Sequence, residues 1–200
     1  MKRQFSFLST LCLLAALTAC NNAGNKDAVD KADSTNEAKL DNDSSNRAAT
    51  NTTTAPADKE TADWMVEVAD GGMTEVQVGQ LAQDKATNQR VKSFAGMMVQ
   101  DHSKANDELK SLAGQKNVTL PADISDDHKK HKEDLSKKKG KDFDKAYMKM
   151  MVDDHQKTVD KFEKASKNSK DAELKAWVDK TLPTLRMHLD SAKAINSALK

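Results

Sequence analysis

Aromatic residues, proline and glycine are all scarce in this chain, and their scarcity excludes several fold classes. Of its 200 residues, 4% are aromatic, three are proline and seven are glycine. Strands favour aromatic and β-branched residues, and all-β folds need many turns, so this composition disfavours a β-sandwich or a β-barrel. The hydrophobic fraction of 37% and the mean hydropathy of −0.77 exclude a multi-span membrane protein.

A net excess of basic charge is also missing. The chain has 32 basic and 31 acidic residues, which gives a net charge of +1. Domains that bind nucleic acid carry a clear basic excess, so no nucleic-acid partner is expected. The chain also lacks the sequence motifs of a serine nucleophile elbow, a phosphate-binding loop or a dinucleotide site. An enzyme is therefore the least favoured functional class.

Both cysteines, Cys12 and Cys20, lie in an N-terminal segment with the features of an export signal. Two basic residues precede an apolar run from Phe5 to Leu17, which is too short to span a bilayer as a helix. The sequence Leu17-Thr18-Ala19-Cys20 resembles a bacterial lipobox, in which the cysteine is acylated and becomes the first mature residue. We expect residues 1–19 to be a signal peptide and Cys20 to be the lipidation site. The alternative is an ordinary cleaved signal with a chance cysteine.

The residue after this cysteine and the segment that follows predict an anchored, tethered domain. In lipoproteins of this kind, Asn21 rather than an aspartate usually implies sorting to the outer membrane, with the domain in the periplasm. Residues 20–59 are rich in small polar residues, and Val29 and Leu40 are the only large apolar side chains. Such a segment buries too little apolar surface to offset its ordering entropy, so it predicts a disordered linker. A short helix around residues 27–40 would be marginal alone.

Residues 60–200 predict one all-α domain. Apolar residues recur with helical period in four long segments, at about residues 60–85, 88–114, 142–166 and 171–199. A shorter helix at about 125–138 would begin at Ser125 and stop near Gly140. Short links join the first helix to the second and the third to the fourth, whereas the link between the second and third is long. This pattern favours a ferritin-like four-helix bundle in which a crossover makes the second and third helices parallel.

Polar residues interrupt the apolar stripes at equivalent positions. His102, His155 and His188 lie mid-stripe in the second, third and fourth helices, and Glu75 lies near the middle of the first. Residues 94–109 and 147–162 align without gaps and are identical at seven of 16 positions, which indicates an internal duplication. Because the helices are of similar length, the four polar side chains are expected to meet at the middle of the bundle.

Four motifs stand out in these helices: Gly71-Gly72-x-x-Glu75, Phe94-x-x-Met97-Met98-Val99-x-Asp101-His102, Tyr147-x-x-x-Met151-Val152-x-Asp154-His155 and Leu182-Pro183-x-Leu185-x-x-His188-Leu189. They resemble the ferritin-like "predicted outer membrane protein" family of unknown function, and the resemblance covers about residues 61–198. The resemblance implies a ferritin-like bundle in the cell envelope and no established activity.

The central polar residues suggest a metal site. Imidazoles of His102, His155 and His188 with the Glu75 carboxylate suit a mononuclear Zn, Fe, Mn or Cu ion. Asp101 and Asp154 precede two of the histidines and are candidate partners that orient a neighbouring ring.

Three alternatives to a mononuclear N/O metal site stay open, with different weights. A di-iron centre is disfavoured because it needs Glu-x-x-His motifs, and the residues three before the histidines are Val99, Val152 and Leu185. A copper site could add the thioethers of Met98 and Met151, although core filling explains these methionines better. A purely structural polar layer, which fixes helix register or changes protonation near neutral pH, is slightly favoured over a metal or small-ligand site.

The crossover helix and the link that follows it carry a cluster of lysines: Lys129, Lys130, Lys132, Lys137, Lys138 and Lys139. The simplest interpretation is a solvated helix face. The alternative is contact with anionic lipid headgroups near the anchor. His128 and His131 lie among these lysines, whose charge disfavours a metal between them.

Overall fold

The structure is a computed structural model that describes residues 27–46 and 57–199. Helices are the only regular elements in these two segments: α1 (Ala28–Asn46), α2 (Lys59–Lys85), α3 (Gln89–Gln115), α4 (Asp126–Ser136), α5 (Gly140–Asn168) and α6 (Ala172–Ala198). The predicted signal peptide and Cys20 lie outside the described residues. None of the helices in these segments combines the length and apolarity that crossing a membrane requires.

Side-chain caps explain where the bundle helices begin. Asp58 accepts a hydrogen bond from the Thr61 backbone at the start of α2, and Asn88 accepts one from Arg90 at the start of α3. Ser125 caps α4, as its position in the sequence predicts. The stop expected near Gly140 is wrong: α4 ends at Ser136, and Gly140 opens α5 with a φ of 55° that glycine adopts without strain.

The four long helices form two antiparallel hairpins, α2–α3 and α5–α6, that pack against each other. Gly79 lets α2 approach α3 closely, since a Cβ there would lie 2.9 Å from the Val99 side chain. Arg186 of α6 pairs with Glu163 of α5 at 2.8 Å, and Lys180 of α6 with Glu108 of α3 at 2.8 Å. Since α6 runs antiparallel to both α3 and α5, these two helices run parallel. The fold prediction of an all-α bundle of ferritin-like type is confirmed.

The bundle core has two apolar clusters separated by a polar layer. One cluster contains Phe162 and Trp177, and the other contains Phe94, Phe143 and Tyr147. Glu75, His102 and His155 lie between the clusters along their helices, His188 lies at the edge of the first cluster beside Leu189, and all four are buried. The fold therefore brings these four residues together at the middle of the bundle, as the sequence predicts.

The N-terminal helix α1 corrects the prediction that residues 20–59 are entirely a disordered linker. Asn36 is buried and exchanges two hydrogen bonds with the Thr119 backbone, at 3.0 and 2.7 Å. Lys39 donates to the Asn117 carbonyl and the Thr119 hydroxyl. These polar contacts hold α1, which packs beside α2, to the link between α3 and α4, and they compensate for the low apolar content on which the disorder prediction rested.

Candidate metal centre

Each polar residue of the central layer comes from a different helix of the bundle. Glu75 lies on α2, His102 on α3, His155 on α5 and His188 on α6, and their exposed fractions are only 6%, 5%, 0% and 1%. The centroids of the three imidazole rings are 5.2 to 5.5 Å apart. The layer is therefore a compact, solvent-excluded group of titratable side chains.

Two carboxylates contact the three rings. The Glu75 Oε2 atom lies 2.9 Å from His102 Nδ1, and its Oε1 atom lies 3.3 Å from His155 Nδ1. The Asp101 Oδ2 atom lies 2.9 Å from His188 Nε2. His155 Nδ1 also lies 3.0 Å from the Met151 carbonyl oxygen, which is its hydrogen-bond partner. Ionised carboxylates and carbonyl oxygens only accept hydrogen bonds, so in each neutral ring the nitrogen that faces them carries the hydrogen.

The other nitrogen of each ring is buried and has no hydrogen-bond partner. These atoms are His102 Nε2, His155 Nε2 and His188 Nδ1. In the neutral form of each ring the opposite nitrogen carries the hydrogen, so this atom then presents a lone pair. One nitrogen from each ring can be chosen so that all three lie within 4.8 Å of one another. The layer therefore combines rings that are close enough to share an ion with one buried, unpartnered nitrogen on each ring.

Burial and the neighbouring charges determine which groups of the layer are ionised. Burial lowers the pKa of His188 to about 4, despite the opposing contact with Asp101, and burial also lowers the pKa of His155. Burial alone would raise the pKa of the Glu75 carboxyl, but its interactions with His102 and His155 outweigh burial and lower it to about 2. At neutral pH, His155 and His188 are therefore neutral while Glu75 is ionised.

Comparisons with known proteins place this bundle among domains without an assigned activity. A family model described as a domain of unknown function, DUF4142, matches residues 45–195. The chain belongs to the DUF4142 family. It is also similar in structure to a crystal structure of a DUF305 fragment from Deinococcus radiodurans, with a TM-score of 0.63 and 12% identity over 72% of this chain and 99% of that chain. At that identity the likeness shows a shared fold alone. No curated protein matches the chain.

Within the DUF4142 domain, the two predicted orienting aspartates have different surroundings. Asp101 contacts His188 directly, as described above. Asp154, at the equivalent position of α5, is paired with Lys157 at 3.9 Å, and no hydrogen bond to a histidine is found for it among the described residues. Burial and the Glu75 charge raise the pKa of Asp154. The structure thus brings one of the two aspartates to the histidine layer.

A contact that the sequence did not reveal fixes the crossover helix of the DUF4142 domain. The buried Asp70 of α2 lies 2.9 Å from His128 Nδ1 and accepts a hydrogen bond from the Ser125 backbone at 2.7 Å. Contact with Asp70 raises the pKa of His128. The amino-acid sequence alone does not predict that Asp70 and His128 form a pair, because Asp70 lies next to two glycines in an otherwise ordinary helix.

The methionines near the histidine layer have two distinct environments. Met98 and Met151 are fully buried and belong to the apolar cluster around Tyr147, as expected for core filling. Met187, which precedes His188, is 43% exposed. Met187 therefore differs from Met98 and Met151 in lying at the surface of the DUF4142 domain.

Proposed function

We propose that this DUF4142 protein binds a single transition-metal ion through His102, His155 and His188. The observation that carries the proposal is the set of three buried ring nitrogens that lack partners and present lone pairs. A buried polar atom without a partner costs about 1–3 kcal/mol, so three in one layer are a large cost for a purely structural role. One bound ion would satisfy all three.

The protonation states of the layer support metal binding. A histidine binds a metal through a deprotonated nitrogen, and a ring that must first lose a proton binds more weakly at neutral pH. The lowered pKa values of His155 and His188 keep those rings neutral. The ionised Glu75 beside them offsets part of the charge of a divalent ion.

Glu75 and Asp101 have the role of orienting the ligands in this proposal. Metal-bound histidines usually donate their other ring nitrogen to a carboxylate, which fixes the tautomer and the ring direction. Glu75 does this for His102 and Asp101 does it for His188, whereas His155 donates to the Met151 carbonyl and lies near Glu75 without donating to it. The sequence suggested Glu75 as a direct ligand, but in this proposal it orients a ligand instead of binding the ion.

The ligand set also narrows the choice of metal. Imidazole suits Zn, Cu and Fe, whereas Mn prefers oxygen ligands. A tetrahedral ion at 2.0–2.1 Å from each nitrogen requires nitrogens roughly 3.3 Å apart. The rings, whose chosen nitrogens lie within 4.8 Å of one another, must therefore move closer when the ion binds.

A structural polar layer is the alternative function, and the carboxylate contacts favour it in part. Each ring already has one satisfied nitrogen, which is enough to specify how the helices pair. This alternative leaves the second nitrogen of each ring unexplained, which is why we place metal binding first.

The test is metal content. The purified protein is stripped with a chelator, exposed separately to Zn, Fe, Mn and Cu ions, and analysed for bound metal. We expect about one ion per chain for at least one metal, and a loss of most of it in His102→Ala and His155→Ala. The exposed His131 supplies the control, since His131→Ala should bind as the wild type does. Substoichiometric metal that the two core variants leave unchanged would favour the structural alternative.

We further propose that the protein is an outer-membrane lipoprotein whose domain faces the periplasm, anchored through an acylated Cys20. The support is the lipobox-like sequence and the small polar segment that follows it. Replacing Cys20 with serine should move the protein from the membrane fraction to the soluble fraction and remove incorporated acyl label. Membrane fractionation with undiminished label would contradict lipidation.

Contact of the crossover lysines with anionic headgroups would be a secondary feature of this anchoring. Lys129 and Lys137 form ion pairs with nearby acidic residues, and Lys132 donates to Gln77. For Lys130, Lys138 and Lys139 no ion pair is found among the described residues. Three such lysines contribute about 1 kcal/mol each near an anionic surface, which is modest beside an acyl anchor.

A further inference from the structure

We infer that metal ions reach the histidine layer through the seam between α3 and α6, with Asp101 at its mouth. The inference rests on the proposed function and adds to it the route and the residue that controls uptake. It concerns rates of binding, whereas the proposed function concerns whether an ion is bound at all.

Asp101 connects solvent to the buried layer. Its side chain is 32% exposed, while the ring of His188 that it contacts is 1% exposed. Glu75, the other carboxylate of the layer, is 7% exposed on its side chain and faces two buried rings. Among the described carboxylates that contact the three histidines, Asp101 is therefore the one that an ion arriving from solvent meets first.

His188 is the next residue on the proposed route and lies deeper in the bundle than Asp101. Its Nε2 atom faces Asp101, and its Nδ1 atom is buried without a partner. One ring thus spans the wall of the bundle, with one nitrogen toward the half-exposed carboxylate and the other in the interior. Release of the single hydrogen bond between Asp101 and His188 is the step that admits an ion in this proposal.

Each helix of the seam carries a thioether, which is a soft ligand, close in sequence to the contact between Asp101 and His188. On α3, Met97 is one helical turn before Asp101, and it lines an open groove of about 450 Å³ together with Ser191 of α6. On α6, the exposed Met187 precedes His188, and its sulfur lies 3.9 Å from the Ser191 hydroxyl.

Asp154 is the residue of α5 equivalent to Asp101, and its described contacts differ from those of Asp101. Asp154 has the same local sequence, Asp-His, but its described ion pair is with Lys157. Its pKa also depends on the charge of His128 on the crossover helix, so α4 lies near this side of the layer. Asp154 therefore offers a matched control that removes the same charge next to an equivalent histidine.

The test measures the rates of Zn²⁺ uptake and release by stopped flow with a chromophoric zinc indicator. Asp101→Asn should lower the association rate about tenfold, because it removes the charge that attracts the ion while its amide oxygen can still accept the hydrogen bond from His188 Nε2. Asp154→Asn should change both rates less than about threefold, because it removes only long-range charge.

Three results would overturn the inference in distinguishable ways. Equal slowing in both variants would assign the effect to charge alone. Faster release with unchanged uptake in Asp101→Asn would assign to Asp101 only the orienting of His188. Either result leaves the proposed function standing. If the wild-type protein binds none of the four metals and therefore takes up no Zn²⁺, both proposals are overturned.

Discussion

Replacing Glu75 with glutamine is expected to lower the free energy of unfolding by about 1–3 kcal/mol at pH 7, because a neutral amide replaces the ionised acceptor of a buried hydrogen bond from His102 Nδ1. The pKa of the Glu75 carboxyl is lowered to about 2 from 4.5, so the carboxyl is ionised at this pH. Glutamine keeps the volume but loses the charge, and its amide nitrogen would face a ring nitrogen that already carries hydrogen. Metal affinity should fall 10–100-fold, as is usual when a group that orients metal ligands is removed.

Chemical denaturation and a metal-binding titration check this result, with Glu67→Gln as the control. Glu67 lies on the same helix with its side chain 69% exposed, and it is paired with Lys161. A surface pair of this kind contributes little, so the control should differ from wild type by no more than about 0.5 kcal/mol. Equal stability of Glu75→Gln and wild type would show that the buried carboxylate does not hold His102.

Acidification from pH 6.5 to 4 should destabilise the metal-free protein by roughly 3 kcal/mol through His188. The folded-state pKa of His188 is about 4, whereas an unfolded histidine titrates near 6.5. Between these values the unfolded chain binds the proton and the folded chain does not, so stability falls as pH falls. His155, whose pKa is also lowered by burial, acts in the same direction.

Denaturation curves at half-unit pH intervals, with a chelator present, measure this slope. His188→Gln should flatten the profile between pH 6.5 and 4, whereas His131→Gln, at an exposed position on α4, should leave it unchanged. A wild-type profile that is flat over this range would contradict the placement of His188 as a neutral buried ring.

The sequence was sufficient to predict the bundle and the histidine layer. Helical periodicity places one histidine mid-stripe in each of three helices, and link lengths set which helices are antiparallel. Since depth along a helix follows from residue count, the meeting of His102, His155 and His188 at one level could be predicted without coordinates.

Properties that depend on how helices are rotated against each other could not be predicted. Asp101 and Asp154 have nearly the same local sequence, yet one contacts a histidine of α6 and the other is paired with Lys157. The role of Glu75 likewise depends on which ring nitrogens face it. Helix α1 could be predicted only as a short helix that is marginal alone, because Asn36 and Lys39 dock it through polar contacts, which leave no periodic apolar pattern.

The most direct test of the central claim is a crystal structure of the metal-loaded protein, with data collected at the absorption edge of the bound metal. Metal binding by the histidine layer predicts one anomalous peak at the middle of the bundle, about 2.0–2.1 Å from His102 Nε2, His155 Nε2 and His188 Nδ1. Glu75 and Asp101 should keep their contacts with the opposite ring nitrogens. A fully loaded protein whose only anomalous peaks lie outside this layer would contradict the claim.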